Sequence, residues 1–407
     1  MHARYPINVA DLKSLGAPWM TQALRSNNTI AQDVTVTSLN IEDNENGGLL
    51  GEMCRVSVEF NKETDCGTVF MCKFQPADFM TKVTTRLFDL CIHEYLWYKN
   101  IQPTYPIRIP KMIYGDYNHR AGSFIMLFEM IDGEFYRCEN KESLTVDRAE
   151  QIIKLLAQHH ALGWGGQLPG QDTSWCADAD AGANRMLPPE SKKHIKTFWD
   201  LKTNPAKPDV CPEILQEHLG IWFNNFEKLQ SHFTHSPWKT INHGDPRLDN
   251  FFFNEKNNEQ SIGLLDWQLI VKAGCAGDLS WFVCTSVTEE FATQHWDGLM
   301  ALYFAELQKN LTDAQNAAYN FTLDELKEEL GMAHVFSMGK IVIGSGGLDT
   351  NDPNNIIVMK NLATNGLAAM MRDNTKECVD KFNRGELLAQ RSSGGGTESK
   401  SMELGGV

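Results

Sequence analysis

The sequence predicts an α+β fold in two lobes, a small antiparallel sheet followed by a larger, mainly helical part. A chain of 407 residues is longer than one compact core usually accommodates. Short runs rich in β-branched and aromatic residues lie within residues 34–129, whereas apolar residues recur at helical spacing from residue 146 onwards. We therefore predict an N-terminal lobe over residues 1–131, a helical lobe over 132–391 and a flexible Gly- and Ser-rich tail over 392–407.

The predicted N-terminal lobe consists of a leading helix and about five strands with one further helix packed on the sheet. Apolar residues in helical steps predict the leading helix over residues 9–26. Strands are predicted over residues 34–36, 54–60, 68–74, 111–114 and 123–129, with the second helix over 78–99. Asp132 and Gly133 form the predicted linker, and the second lobe has predicted helices over residues 146–163, 212–232, 279–310 and 323–342.

The charge and the cysteines argue against several classes of protein. A net charge of −15 repels polyphosphate and anionic surfaces, so we predict neither a nucleic-acid nor a membrane partner. The chain has no apolar run of about 18 residues, and its first residues lack the pattern of a secretory signal. Ten cysteines without the CxxC spacing of metal ligands predict reduced thiols and a cytoplasmic protein.

The most informative stretch is residues 241–250, which contain His243, Asp245 and Asn250 and are followed, sixteen residues after Asn250, by Asp266. Transfer of a phosphoryl group to an alcohol needs a carboxylate beside the attacking hydroxyl and further oxygen ligands for magnesium. A loop carrying Asp245 and Asn250 can supply the base and one ligand, and Asp266 at the end of a β-ribbon can close the metal site. Taken alone, a His-Gly-Asp loop is common, and its aspartate usually caps a helix or bonds its own backbone. The complete spacing favours the catalytic interpretation.

The combined motif resembles that of a known superfamily. The chain reads His-Gly-Asp-x-Arg-x-Asp-Asn at 243–250, Leu-Asp-Trp-Gln at 265–268 and Gly-Asp-Leu at 277–279. These strings are similar to those of the aminoglycoside phosphotransferase and choline kinase superfamily, and most similar to its ecdysteroid-kinase-like branch, also called CHK-kinase-like. The resemblance extends from about residue 9 to about residue 345.

The resemblance implies a two-lobed, protein-kinase-like fold and a kinase that uses ATP and Mg²⁺ to phosphorylate a small-molecule alcohol. By this resemblance, Asp245 is the catalytic base, and Asn250 and Asp266 are the magnesium ligands. His243 and Asp278 would support the catalytic loop without reacting. The nucleotide would bind in the cleft between the lobes.

Lys73 provides an independent indication from the N-terminal lobe. It lies inside the apolar third strand, where an ammonium group is costly unless it has a partner or a ligand. In a kinase that ligand is the α- and β-phosphates, and the partner is a glutamate of the next helix, for which Glu94 is the candidate. The alternative is an exposed lysine on an edge strand, which protects against aggregation.

Two further segments are candidates for nucleotide binding. The turn that contains Gly47, Gly48 and Gly51 could fold over the phosphates and offer backbone amides, although it departs from the GxGxxG pattern and also fits a plain hairpin turn. The adenine is expected at the backbone of the residues just before the linker, which are Glu129, Met130 and Ile131.

Some alternatives stay open at the level of sequence. Arg247 could contact the substrate or a phosphate, or it could pair with Asp249. His160 lies in an apolar helix and is interpreted as a packed core residue. The resemblance favours a bulky steroid-like or lipid-like acceptor; choline, ethanolamine, a sugar or a hydroxyacyl thioester are alternatives. A nucleotide-binding pseudokinase is also possible, but a scaffold has no use for all the proposed catalytic residues together.

Overall fold

A computed structural model describes residues 5–43, 51–131, 133–135, 138–187, 213–254, 261–319, 321–346 and 353–387. Gly47, Gly48, Asp132 and the predicted tail over 392–407 lie outside these residues. The described residues form a five-stranded antiparallel sheet followed by a mainly helical part, which confirms the predicted α+β class. The domain boundary after residue 131 stays a prediction.

The N-terminal part is built on one sheet, with the strand order β1-β2-β3-β5-β4. Its helices and strands are α1 (Val9–Ser26), β1 (Val36–Asp43), β2 (Glu52–Phe60), β3 (Val69–Phe74), α2 (Phe79–Leu87), α3 (Leu90–Leu96), β4 (Met112–Asn118) and β5 (Ser123–Glu129). Strand β3 lies in the middle of the sheet, where Lys73 is opposite Met53 of β2 and Met126 of β5. A central position fixes the backbone of Lys73 from both sides.

The first strand begins later than predicted. The prediction over residues 34–36 was wrong, because the backbone of Thr35 is held by the Asn61 side chain and the carbonyl of Val34 accepts from Arg25. Pairing with β2 begins only at Val36 and runs through mostly exposed polar residues to Asp43. A strand with one solvated face carries too few apolar residues to be recognised over its whole length.

The helix predicted over residues 78–99 is interrupted. It consists of α2 and α3, separated at Asp89, whose φ of 54° is left-handed, and it continues as a π-helical turn over Trp97–Ile101. Three apolar side chains of α2 are exposed: Phe79 at 75 %, Val83 at 44 % and Leu87 at 45 %. Apolar spacing runs through both helices, so the pattern alone does not reveal the break.

The second part combines helices with two short sheets. Its helices are α4 (Val146–Leu162), α5 (Glu213–Thr234), α6 (Ala276–Ser286), α7 (Glu289–Asn310), α8 (Asp313–Tyr319), α9 (Leu323–Gly346), α10 (Pro353–Arg372) and α11 (Thr375–Arg384). Its strands are β6 (Glu134–Phe135), β7 (Lys239–Asn242), β8 (Phe251–Phe253), β9 (Ile262–Leu264) and β10 (Val271–Gly274). Strand β7 pairs with β10, and β8 lies between β6 and β9.

One predicted helix of this part is two helices. The stretch 279–310 divides into α6 and α7, because Thr288 caps the second helix by accepting the backbone N–H of Phe291 at 3.2 Å. Within the described residues, no helix is both long enough and apolar enough to cross a membrane.

Buried aromatic residues join the two parts next to Glu94 and Asp266. The rings of Trp97 and Trp267 stack with their centroids 3.9 Å apart, and both side chains are fully buried. Trp267 directly follows Asp266, and Trp97 lies three residues after Glu94. This stacked pair fixes the segment that carries Asp266 against the helix that carries Glu94.

Candidate active site

The loop that carries Asp245 begins where β7 ends and requires a glycine at its second position. Gly244 has a φ of +85°, in the left-handed region. A methyl group on its Cα would overlap the backbone carbonyl of Leu269. The glycine of the His-Gly-Asp sequence is therefore a steric requirement of the loop, since the segment after Asp266 passes directly against it.

Asp278 holds this loop from the first turn of α6. Its carboxylate accepts the backbone N–H groups of His243 at 2.7 Å and Gly244 at 2.9 Å, and the Nε2–H of His160 at 3.1 Å. Burial by itself raises the pKa of Asp278, but the hydrogen bond from His160 and the nearby imidazoles lower it to about 2. His160 is fully buried, as predicted for a packed residue, and its Nδ1 also accepts a hydrogen bond from the hydroxyl of Tyr303 at 2.7 Å.

His243 links the loop to the segment before Asp266. Its Nδ1 faces the backbone N–H of Asp245 at 3.3 Å and therefore acts as an acceptor. The proton must then be on Nε2, which donates to the carbonyl of Leu265 at 3.0 Å. Burial lowers the pKa of His243, which favours this neutral form. The arrangement suits a supporting role, which stays a prediction.

Asp245 lies in a closely bonded environment. Its Oδ1 accepts from Trp281 Nε1 at 2.6 Å and from Arg247 Nε at 3.0 Å. The amide nitrogen of Asn250 donates to the Asp245 carbonyl at 2.7 Å and to Oδ2 at 3.3 Å. Burial raises the pKa of Asp245 to about 6; the Arg247 guanidinium opposes this rise, and the carboxylate of Asp266 adds to it. A carboxyl group that titrates near neutrality is suited to accept a proton.

Arg247 pairs with both neighbouring carboxylates. Its Nε is 3.0 Å from Asp245 Oδ1, and its terminal nitrogen is 3.6 Å from Asp249 Oδ2. The predicted alternative of a pair with Asp249 is therefore present, together with a shorter contact to Asp245. Contact of Arg247 with a substrate or a phosphate stays a prediction.

Asp266 is held between the two parts of the molecule. It has a left-handed backbone, with φ 69° and ψ 70°, which is uncommon for a residue other than glycine. Its Oδ1 is 3.2 Å from Lys73 Nζ. The N–H of Leu265 donates to the carbonyl of Asn250 at 3.0 Å, so the two predicted metal-binding segments are hydrogen-bonded to each other.

Lys73 is buried, which excludes the alternative of an exposed edge lysine. It is 7 % exposed, and its Nζ is 3.0 Å from Oε1 and 2.8 Å from Oε2 of Glu94, which is 2 % exposed. The predicted ion pair is therefore present. Burial alone lowers the pKa of Lys73, but the carboxylates of Asp266 and Glu94 outweigh it and raise this pKa, so the ammonium stays charged.

The remaining predicted nucleotide contacts are only partly described. A Cβ on Gly51 would lie 3.4 Å from Lys73 Cε, so the end of the glycine turn lies against the lysine, whereas Gly47 and Gly48 are outside the described residues. Glu129 forms an ion pair with Lys111 at 2.8 Å. Met130 follows β5 and is 45 % exposed, and its backbone N–H donates to the Val69 carbonyl at 3.3 Å. Ile131 is half-buried.

Sequence reasoning missed two residues of this site. Trp281 donates to Asp245, and Lys340 donates from Nζ to the carbonyl of Gly244 at 2.9 Å. Trp281 lies three residues after Asp278 and therefore on the same face of α6, which was an available signal. Lys340 lies between apolar residues of α9, but nothing in its neighbourhood in the sequence points to Gly244.

The side-chain oxygen atoms of Asn250 and Asp266 suit a hard divalent cation. Asn250 uses its amide nitrogen toward Asp245, which leaves the amide oxygen on the other side of the side chain. Asp266 offers carboxylate oxygens 3.2 Å or more from a fixed ammonium group. Amide and carboxylate oxygens are the ligands that Mg²⁺ prefers, so the residues present fit this ion.

Comparisons with known proteins show the family and the fold of this chain. A model of the ecdysteroid kinase-like family matches residues 47–316. The fold is similar to that of choline kinase from Cryptosporidium parvum Iowa II, with a TM-score of 0.50 and 12 % identity, covering 92 % of this chain and 98 % of that one. It is similarly close to the GDP and kanamycin complex of APH(2")-IIia, with a TM-score of 0.50 and 13 % identity, covering 88 % and 99 %. No curated protein sequence matches this chain. At these identities the two structures establish the kinase-like fold alone.

Proposed function

Because this chain belongs to the ecdysteroid kinase-like family, we propose that it transfers the γ-phosphate of ATP, with Mg²⁺, to a hydroxyl group of a small molecule. The observation that carries the proposal is the cluster formed across the cleft by Asp245, Asn250, Asp266 and Lys73. Direct hydrogen bonds connect Asn250 to Asp245 and Lys73 to Asp266. The backbone N–H of Leu265, the residue before Asp266, donates to the Asn250 carbonyl at 3.0 Å and links the two pairs. A base, oxygen ligands and a phosphate-binding cation are thus within one hydrogen-bonded set, as phosphoryl transfer requires.

In this proposal the N-terminal lobe holds the nucleotide. Lys73 contacts the α- and β-phosphates, and Glu94 keeps its ammonium in position and charged. The adenine lies against the backbone of residues 129–131. Asn250 and Asp266 would hold Mg²⁺, which would neutralise phosphate charge during the transfer.

Asp245 is the proposed base. The acceptor hydroxyl oxygen forms a bond to the γ-phosphorus while the bond from that phosphorus to the bridging oxygen of ADP breaks. The hydroxyl proton passes to the Asp245 carboxylate late in this step. The buried position of Asp245 supports the role, because burial raises its pKa to about 6 and so strengthens it as a base.

We further propose a bulky steroid-like or lipid-like alcohol as acceptor, in preference to choline or ethanolamine. A quaternary ammonium group is bound through aromatic faces. Near Asp245 those faces already carry the ammonium of Lys340, which is 5.0 Å from the ring centre of Trp281 and 6.0 Å from that of Phe336. A second cation beside Lys340 would be repelled, and a neutral alcohol would not.

Nucleotide binding is tested by thermal denaturation with and without Mg²⁺ and ATP. The parent protein should gain stability with both ligands present, and Asp266→Ala should lose this gain. Asp249→Asn is the matched control, because it removes a carboxylate from the same region that is not a proposed metal ligand. The absence of any shift in the parent protein would contradict the kinase assignment.

Turnover is tested with labelled ATP and a panel of hydroxylated metabolites. Asp245→Asn should keep the Mg²⁺-ATP thermal shift and abolish transfer; retained transfer would show that another group is the base. Choline and its neutral isostere 3,3-dimethylbutan-1-ol distinguish a cationic from a neutral acceptor. A faster phosphorylation of choline would refute the proposed preference for a neutral alcohol. Binding without turnover on any acceptor would favour the pseudokinase alternative.

A further inference from the structure

The indole of Trp281 is placed to orient the proposed base. Trp281 lies in α6, three residues after Asp278, so one face of this helix contacts both the backbone and the side chain of the loop. Asp278 holds the N–H groups of His243 and Gly244, and Trp281 Nε1 donates to Asp245 Oδ1 at 2.6 Å. Helix α6 therefore fixes the Asp245 carboxylate relative to the backbone of the loop that carries it.

Trp281 is itself held by a second helix. The ammonium of Lys340, in α9, lies 5.0 Å from the centre of the indole ring and donates to the Gly244 carbonyl at 2.9 Å. One lysine therefore contacts both the indole and the loop that the indole orients. A ring with a cation over its face loses rotational freedom, so the N–H stays directed at Asp245.

The two oxygens of Asp245 have different environments. Oδ1 receives the two shorter hydrogen bonds, from Trp281 at 2.6 Å and from Arg247 at 3.0 Å. Oδ2 has contacts of 3.3 Å with Arg247 and 3.3 Å with Asn250. An oxygen whose lone pairs accept short hydrogen bonds is less available to a further proton.

We infer that Trp281 is a positioning residue that fixes Oδ1 of Asp245 and thereby makes Oδ2 the oxygen that receives the acceptor's proton. The inference rests on the proposed function for its catalytic consequence, but the hydrogen bond itself exists in the protein without ligands. Loss of the indole N–H would leave the carboxylate free to rotate, so that Oδ2 would face the hydroxyl for a smaller fraction of the time.

The hydrogen bond is tested by NMR on the ligand-free protein. A short N–H to carboxylate bond moves the indole proton downfield, and the Trp281 signal is assigned among the ten tryptophans by its loss in Trp281→Phe. Asp245→Asn should move this signal upfield. The indole signal of Trp175, whose Nε1 donates to the Asp172 carbonyl at 2.8 Å, is the internal control and should not move. An unchanged Trp281 signal in Asp245→Asn would refute the contact.

The catalytic consequence is tested by kinetics with Mg²⁺-ATP and an acceptor found in the panel, or with hydrolysis of Mg²⁺-ATP by water. Trp281→Phe should lower kcat about tenfold with an unchanged KM for ATP, since one charge-assisted hydrogen bond is lost and the nucleotide contacts are not. Replacing Trp281 by 3-benzothienylalanine, in which sulfur takes the place of the N–H, should give the same loss. Trp175→Phe should keep the parent kcat.

The outcomes distinguish this inference from the proposed function. Full kcat in the sulfur isostere would overturn the positioning role, whatever the effect of phenylalanine, because the isostere keeps the ring and removes only the donor. A parent protein that neither transfers nor hydrolyses phosphate, but shows the NMR contact, would contradict the proposed function and leave Trp281 without a catalytic consequence. A loss of kcat in both variants with unchanged KM for ATP supports the inference.

Discussion

Replacing Asp278 by asparagine should destabilise the protein, because this buried carboxylate holds the loop that carries Asp245. It accepts the backbone N–H groups of His243 at 2.7 Å and Gly244 at 2.9 Å and the His160 imidazole at 3.1 Å. Asparagine keeps the shape and one acceptor oxygen, but it presents an NH₂ group where the second oxygen was. At least one buried N–H therefore loses its partner.

The expected loss of stability follows from two contributions. Burial raises the pKa of Asp278, but its hydrogen bond with His160 and the surrounding imidazoles lower it from 3.8 to about 2. At about 1.4 kcal/mol per pKa unit, its ionisation contributes roughly 2 kcal/mol at neutral pH. A buried N–H without a partner costs about 1–3 kcal/mol. Because the two contributions overlap, we expect a loss of about 2–4 kcal/mol in the free energy of unfolding.

The assay is urea unfolding near neutral pH, followed by tryptophan fluorescence, since Trp238 and Trp267 are fully buried. Asp297→Asn is the matched control. The Asp297 carboxylate pairs with Lys327 at 2.8 Å but is 90 % exposed, so its removal should change stability by less than about 1 kcal/mol. A loss for Asp278→Asn no larger than that of the control would refute the reasoning.

The same carboxylate predicts a pH dependence. Its pKa is lowered in the folded state, so its contribution is complete above the ordinary value of 3.8 and is lost as the pH falls toward 2. The difference in stability between the parent protein and Asp278→Asn should therefore be constant near neutral pH and narrow under acidic conditions. A difference that widened on acidification would contradict this assignment.

Three other perturbations follow from the site. Gly244→Ala should abolish transfer and lower the melting temperature, because the added methyl group overlaps the Leu269 carbonyl and the φ of +85° is unfavourable. Calorimetry and the transfer assay check this, and a variant with the parent's melting temperature and transfer activity would contradict it. Lys73→Met should weaken ATP binding and destabilise the fold by about 3 kcal/mol, because Glu94 is left buried without its cation. The double variant Lys73→Met/Glu94→Gln should regain part of this stability, because the buried carboxylate is then also removed. Chelation of Mg²⁺ with EDTA should remove most of the thermal shift caused by ATP, and an undiminished shift would argue against metal-assisted binding.

The residue types of the candidate site could be predicted from the sequence, and their catalytic and metal-binding roles stay predictions. Asp245, Asn250 and Asp266 are recognisable because hard-metal chemistry restricts the residue types and because the loop and ribbon that carry them are close together in the chain. Lys73 was recognisable for a different reason, since a lysine inside an apolar strand is costly unless it has a partner or a ligand. The sequence also determined the α+β class, because the change from β-rich runs to helical spacing is visible along the chain.

Only the tertiary structure decided the contacts between segments far apart in sequence. Trp281 and Lys340 contact the loop that carries Asp245 because of how α6 and α9 pack. Local apolar spacing does not indicate which distant side chain lies beside which carboxylate. The breaks at Asp89 and Thr288 were hidden for a related reason, since apolar spacing continues across both. Residue types and short-range spacing define which chemistry is possible, whereas the orientation of each group depends on long-range packing that a linear pattern does not encode.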